Sequence, residues 1–247
     1  MRTTFISLII FLIVIVIFCT SCLHHYYAPN SNNVPLFKEK NEGRIQLQYS
    51  GGNEYSGFEF QSAYAVGRHV GLQLNFFTAS GNDEEAGVKY GSGNGTYIEG
   101  AAGYFAPSSN NLWVFETYAG IGTGTVTNKY LSSESSKVGV TKFFLQPSYG
   151  FSTKNFEIAV SSKFSLANLK VKNSTVTENN NPSDFPDIEF LQNNKSFFFW
   201  EPGIMMRGGF KYFKLMAQFT YSAPNDQKLN IDNANLSVGV VVPFKIK

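Results

Sequence analysis

Residues 155–166 read NFEIAVSSKFSL, and the reading of that stretch decides the fold. Phe156, Ile158, Val160, Phe164 and Leu166 fall on one parity, while Glu157, Ser161 and Lys163 fall on the other. Successive side chains of a β-strand point to opposite faces, so a period of two gives one apolar and one polar surface. An amphipathic helix would instead repeat its apolar residues every three or four positions.

The same alternation recurs throughout the chain past residue 43. RIQLQYS (44–50) sets Ile45, Leu47 and Tyr49 against Arg44, Gln46 and Gln48. GFEFQSAYAV (57–66) sets Phe58, Phe60, Tyr64 and Val66 against Glu59 and Gln61. VGLQLNF (70–76) opposes Leu72 and Leu74 to Gln73 and Asn75, and TYIEGAAGYF (96–105) opposes Ile98 and Tyr104 to Tyr97 and Glu99. WVFETYAGIGTG (113–124) carries Glu116 and Tyr118 on its polar face, and TKFFLQPSYGF (141–151) carries Lys142, Gln146 and Ser148. SFFFWEPGIMMRG (196–208) carries Glu201 and Arg207, and FKLMAQFTY (213–221) carries Lys214 and Gln218. LSVGVVVPF (236–244) closes the series. The apolar face of these stretches bears no charge. Pro147, Pro202 and Pro243 lie inside them, remove ladder donors and mark expected bulges or boundaries.

Two architectures explain such a pattern. A soluble sandwich or small barrel turns the apolar face inward. A transmembrane barrel turns it outward to lipid and lines its lumen with the polar face. The strands approach the roughly 9–11 residues of a tilted crossing. Aromatics gather at both ends of the apolar face: Tyr64, Tyr104, Trp113, Tyr149, Phe151, Phe213 and Phe244 at one, Tyr49, Phe76, Phe164, Trp200 and Tyr221 at the other. Connections alternate between short and long. The short ones are GR, APSSNN, STK and GFKY; after a first hairpin GGNE, the long ones are 80–94, 127–138, 171–194 and 223–233. Short periplasmic turns and long outer loops are the habit of outer-membrane barrels. The expected fold is therefore all-β: an antiparallel up-and-down transmembrane β-barrel of about ten strands, following a cleaved N-terminal signal.

The expected lumen carries Glu59, Glu99, Glu116, Glu157 and Glu201 facing Arg44, Lys142, Lys163, Arg207 and Lys214. Barrels near eight strands are filled by side chains, and those near sixteen leave a channel. A charge-paired, plugged interior follows as the expectation.

The N-terminus gives the address. From Phe5 to Phe18 every residue except Ser7 is apolar, which is too short for a spanning helix and fits a secretory signal with Arg2 ahead of it. Cys19-Thr20-Ser21-Cys22 resembles a bacterial lipobox, in which cleavage falls before the last Cys and that Cys is acylated. The expected division is a signal peptide at 1–21, a periplasmic tether at 22–42 and the barrel at 43–247, with Cys22 as a lipid anchor holding the chain from the periplasmic side of the outer membrane. The only cysteines are Cys19 and Cys22, so no disulfide is expected in the mature chain.

The chain holds 20 basic and 18 acidic residues, and loss of Arg2 leaves 19 against 18. No basic field is present to attract nucleic acid. His24 and His25 fall in the expected tether and His69 in a short turn, so no outer-rim His-based catalytic group is expected, and the chain reads as a non-enzyme. No cofactor or metal is expected: His24-His25 lacks a third ligand, and GIGTG (120–124) lacks the third glycine of a dinucleotide loop. Asp83-Glu84-Glu85 and TENNNPSDFPDIEF (177–190) read as solvated loops. Phe185, Ile188 and Phe190 in the latter, and Leu191 directly after it, are suited to fold over the barrel mouth or touch a partner.

The tether and first strands, YYAPNSNNVPLFKEKNEGRIQLQYS through GFEFQSAYAVGRHVGLQLNFF within residues 22–78, resemble uncharacterised outer-membrane β-barrel lipoproteins of Bacteroidota. The resemblance implies the barrel and the location and transfers no catalytic residue. The expected role is structural or surface-interacting. Outer-membrane lipid is the expected partner, and loops 80–94 and 171–194 are candidate surfaces for an extracellular one. A narrow pore for small solutes is the alternative, and a soluble periplasmic barrel binding a hydrophobic ligand is a second.

Overall fold

The computed structural model describes residues 24–85, 88–130 and 133–246. Cys22 and the rest of the expected signal lie outside the described residues. The strands are β1 (Glu42–Gly51), β2 (Ser56–Ala65), β3 (Val70–Glu85), β4 (Val88–Pro107), β5 (Trp113–Tyr130), β6 (Ser135–Ser152) and β7 (Phe156–Ser174). A helix α1 (Phe185–Asn193) precedes β8 (Ser196–Phe210), β9 (Phe213–Tyr221), the two-residue β10 (Ala223–Pro224) and β11 (Ala234–Lys245). Each long strand pairs antiparallel with its neighbour from β1 through β8 and on to β9. β9 pairs β11, and β11 returns to β1 with Leu47 opposite Val240, so ten long strands close into a barrel. Among the described residues no helix is long and apolar enough to cross a membrane.

The apolar faces point outward. Phe58, Leu72, Phe143, Val160 and Leu215 are among the most exposed side chains of their strands, while Glu59 and Lys163 are each 1% exposed. This is the transmembrane arrangement and not that of a soluble barrel. Aromatics flank the band: Trp113 stacks on Tyr149 at 5.3 Å, Tyr64 on Phe244 at 6.5 Å, and Tyr49 meets Phe58 edge-on at 5.4 Å. An arginine at Leu215, opposite Gly208 and Val240 in the ladders, places a charge on this lipid-facing surface. Leu215→Arg is expected to lower stability by about 2–4 kcal/mol, read as a shift in urea unfolding within lipid vesicles.

Above the band the polarity of the strands reverses. On β5, Ile121 is exposed and apolar; beyond it Thr123 and Lys129 face out while Tyr130 is buried within. On β7, exposed Leu166 is followed outward by Lys170 and inward by buried Ala167 and Leu169. Val138 and Val140 of β6 point in. A strand leaving hydrocarbon for water gains by turning its apolar side to the interior, so the reversal marks where the wall rises out of lipid. The expected loops 80–94 and 127–138 are consequently not loops. β3–β4 and β5–β6 carry on as paired hairpins almost to their tips.

The prolines mark ladder ends. Pro147 pairs Thr117 of β5, but the β6–β7 ladder skips Gln146 and Pro147. Pro202 pairs Ser162 of β7, and on its other side the partner changes from β10 to β9. Pro243 pairs Arg44 of β1, while the β11–β9 ladder ends at Val241. A residue without an N–H suits a place where one neighbour is missing.

Candidate functional site in the lumen

The largest departure from the expected organisation is the segment ahead of β1. Residues 22–42 are expected to be a solvated periplasmic tether; instead residues 24–37 run inside the barrel, and all but His25 and Ala28 are buried. The lumen they occupy has three layers. Facing the long hairpins is an apolar layer that includes Phe77, Tyr97, Val140, Leu169, Phe197 and Phe199, covered by Ile188 and Leu191 of α1. The middle layer holds the charges. Toward the short turns lie Val114, Met205, Met216 and Val241, then Ala63, Ala65 and Phe105.

The inner segment matches these layers in order. Tyr26 and Tyr27 sit in the first, Tyr27 stacking on Phe199 at 4.5 Å. Asn30-Ser31-Asn32-Asn33 cross the polar middle, each at most 3% exposed. Val34, Leu36 and Phe37 fill the last, Phe37 meeting Phe105 edge-on at 5.6 Å. The sequence YYAPNSNNVPLF carries this aromatic–polar–aliphatic order, which is the signal a tether reading overlooks. Gly71 and Gly150 give the segment room: a Cβ at Gly150 would stand 2.7 Å from the Leu36 side chain.

The ten residues expected to form a charge network all line the lumen, each at most 8% exposed, but they do not pair one to one. Glu157 gathers three cations: Arg44 donates to both its oxygens at 2.7 and 2.8 Å, Lys214 donates at 2.8 Å, and Arg207 lies at 3.3 Å. Glu99 takes Lys142 at 3.2 Å and Lys163 at 3.3 Å, and Lys142 also reaches Glu201 at 3.5 Å. Glu59 and Glu116 form no ion pair with any of the five bases among the described residues. They hold the inner segment instead. Glu59 accepts from the Ser31 amide at 2.9 Å, the Ser31 hydroxyl at 3.0 Å and Asn235 at 2.9 Å. Glu116 accepts from the Phe37 amide at 2.9 Å.

The ion-pair clusters reach the segment as well. Tyr27 donates to Glu201 at 2.5 Å, Asn30 donates to Glu99 at 2.9 Å, and Arg207 donates to the Val34 carbonyl at 2.8 Å. Gln73, Gln146 and Gln218 donate to main-chain carbonyls of Asn33 and Asn32. A buried backbone without its own secondary structure needs such partners, since an unmet buried amide or carbonyl costs about 1–3 kcal/mol. The polar face of the barrel thus supplies the hydrogen bonds that a strand neighbour would otherwise give.

His69 lies in the short β2–β3 turn as expected, but His24 and His25 are placed differently from the expectation. His24 and His25 lie at the mouth of the long hairpins, beside acidic residues. His24 Nδ1 stands 2.9 Å from Asp184 and Nε2 3.3 Å from the Lys129 carbonyl, with the Tyr130 ring at 4.3 Å. Both ring nitrogens therefore lie within hydrogen-bonding reach of oxygens, which fixes the ring at the mouth. His25 meets Glu54 at 3.2 Å. A cleft of about 110 Å³ opens beside them, lined by His24, His25, Tyr27, Tyr55, Phe77 and Tyr97 among others. Among the described residues no three His, Cys, Asp or Glu side chains are grouped to hold a metal.

The 171–194 segment, expected as a loop, folds into α1 with Pro186 in its first turn and packs down through Ile188 and Leu191. Its leading arm is held by Glu134 at the β5–β6 tip, which accepts from the side chains of Asn180, Thr177 and Asn181 and from the Thr177 amide. The Asn180 hydrogen bond leads the causes that hold the Glu134 carboxyl down at about 2. A folded value below the unfolded one contributes stability above the ordinary carboxylate range, lost as pH falls through about 2. The arm is expected to resist protease equally at pH 7 and pH 5, and Glu134→Gln to speed its cleavage several-fold at both.

No family model matches the chain, and no curated protein matches it in sequence. Among solved structures it is similar to the translocator domain of the autotransporter NalP from Neisseria meningitidis, with 10% identity, a TM-score of 0.44 and coverage of 83% of this chain and 88% of that one. It is also similar to Ail, the attachment invasion locus protein of Yersinia pestis, with 13% identity, a TM-score of 0.39 and coverage of 83% and 99%. A third is an outer membrane channel from Pseudomonas putida F1, with 10% identity, a TM-score of 0.37 and coverage of 82% and 94%.

Proposed function

We propose that the protein is an outer-membrane β-barrel whose own N-terminal segment plugs the lumen, and that its role is structural or surface-interacting, carried by the elements above the membrane. The observation that carries the reading is the burial of residues 24–37 across all three layers of the interior. A lumen occupied in this way weighs against the pore. The exposed apolar band flanked by aromatics supports the membrane, and the short turns at one end with long hairpins at the other support the outer-membrane orientation. The raised hairpins β3–β4 and β5–β6, with α1 laid across the mouth, form the surface offered to the outside.

The reading is tested on the full chain. It is expected to fractionate with outer membranes, to migrate faster on a gel before boiling than after it, and to give no conductance steps in planar bilayers. Solubility of the mature chain without detergent would overturn the membrane reading, and steady conductance of the intact chain would overturn the plug.

A further inference from the structure

The route of the inner segment fixes which side of the membrane its beginning faces. His24 is gripped at the end of the long hairpins by Asp184 and Lys129, and the Tyr26 amide donates to the Asn230 carbonyl of the segment between β10 and β11. Asn128 donates to the carbonyl of His25. Thirteen positions later Phe37 lies against Phe105 near the short turns, Lys38 reaches the Ser152 carbonyl, and the Asn41 amide bonds Ala65. The chain then reverses and enters β1. Asn41 takes φ 70°, a left-handed conformation that a short polar residue tolerates. The segment and β1 together form a hairpin whose bend is at the short-turn end and whose free arm ends at the long-hairpin end.

We propose that the inner segment enters the lumen from the outer mouth, on the side of α1, so that its beginning at His24 faces the outside and not the periplasm. The route relative to the short turns stands on the contacts above. The word outer rests on the membrane orientation proposed for the barrel. Asn32, Asn33, Leu36 and Phe37 are each fully buried; Leu36 packs in the layer of Val114, Met205 and Val241, and Phe37 in that of Ala63, Ala65 and Phe105. A periplasmic position for His24 would require residues 24–37 to be withdrawn, leaving Glu59 and Glu116 without the Ser31 and Phe37 amides from which they now accept.

Three versions of the full chain separate the possibilities, each with a short epitope: one directly before His24, one at Glu178 in the α1 arm, and one at Lys154 in a short turn. On intact cells, antibody is expected to bind the first two equally and to reach Lys154 only after the outer membrane is permeabilised. An epitope before His24 that behaves like the one at Lys154 overturns the proposal. If Lys154 alone is reached on intact cells, the barrel orientation fails while the route through it stands. Should the insertion before His24 abolish heat-modifiable migration, His25→Cys, partly exposed at the mouth, replaces it and gives the same outcomes with a membrane-impermeant maleimide.

Discussion

Glu157→Gln is expected to lower stability by about 3–5 kcal/mol, because it removes one anion and leaves Arg44, Arg207 and Lys214 facing one another in a closed space. Each of these cations is at most about one-tenth exposed, so water cannot replace the carboxylate cheaply. Glutamine keeps the shape and one acceptor oxygen but none of the charge, so the effect isolates electrostatics from packing. The measurement is urea titration of the heat-modifiable gel shift in the wild type and the variant. Lys163→Met in the other cluster supplies the comparison, since Lys142 still pairs Glu99 and Glu201 there, and a smaller loss is expected. A Glu157→Gln midpoint within error of the wild type would show that the charges are hydrated and not mutually held.

Deleting residues 24–37 is expected to convert a silent barrel into a conducting one. The deletion removes Tyr26 and Tyr27 from the outer layer, the Asn30–Asn33 run from the middle, and Leu36 and Phe37 from the layer near the short turns. What remains is a ten-stranded wall lined by Glu, Lys, Arg and Gln at its middle and by apolar side chains on either side of that layer, a size between barrels filled by side chains and those that leave a channel. Discrete steps in planar bilayers are the readout, and retained heat-modifiable migration shows that the wall has formed. A locked version gives the opposite result: Ser31 and Ser237 hydroxyls lie 2.8 Å apart, so Ser31→Cys with Ser237→Cys is expected to form a disulfide and remain silent. A folded deletion variant without conductance would mean that the wall collapses on itself, and the segment would then be a filler and not a plug.

Much of the wall is legible in the alternation. The parity of Phe156 against Glu157, or Phe58 against Glu59, assigns faces within each stretch, and the run of short and long connections assigns the ends. Legibility stops where both parities are apolar. FFFW at 197–200 places Phe197 and Phe199 inside and Phe198 and Trp200 outside, and VVV at 240–242 does the same with Val241, so a lumen read as polar hides its apolar layers. It stops again where the faces exchange roles. GSGNGT at 91–96 has few side chains to show a period, and VGV at 138–140 turns its valines inward above the lipid, so the raised hairpins look like loops. The inner segment was unreadable for a different reason. It has no period because it has no ladder, and its hydrogen-bond partners lie 13 to 206 positions away in the chain. The ten lumen charges could be named from parity alone, but not their grouping around Glu157 and Glu99, which depends on which long side chains meet across the barrel.

The hairpin made by the inner segment and β1 also dictates an order of assembly. Ser31 meets Ser237, the Pro29 carbonyl accepts from Asn235, and the Asn32 carbonyl accepts from Gln218, so the segment rests against β11 and β9 at the seam with β1. Contacts this remote in the chain form late, after the entropy of closing a very long loop has been met. On these contacts the first part of the polypeptide is expected to be in place before β11 closes on β1, so that the seam zips shut around it late in folding.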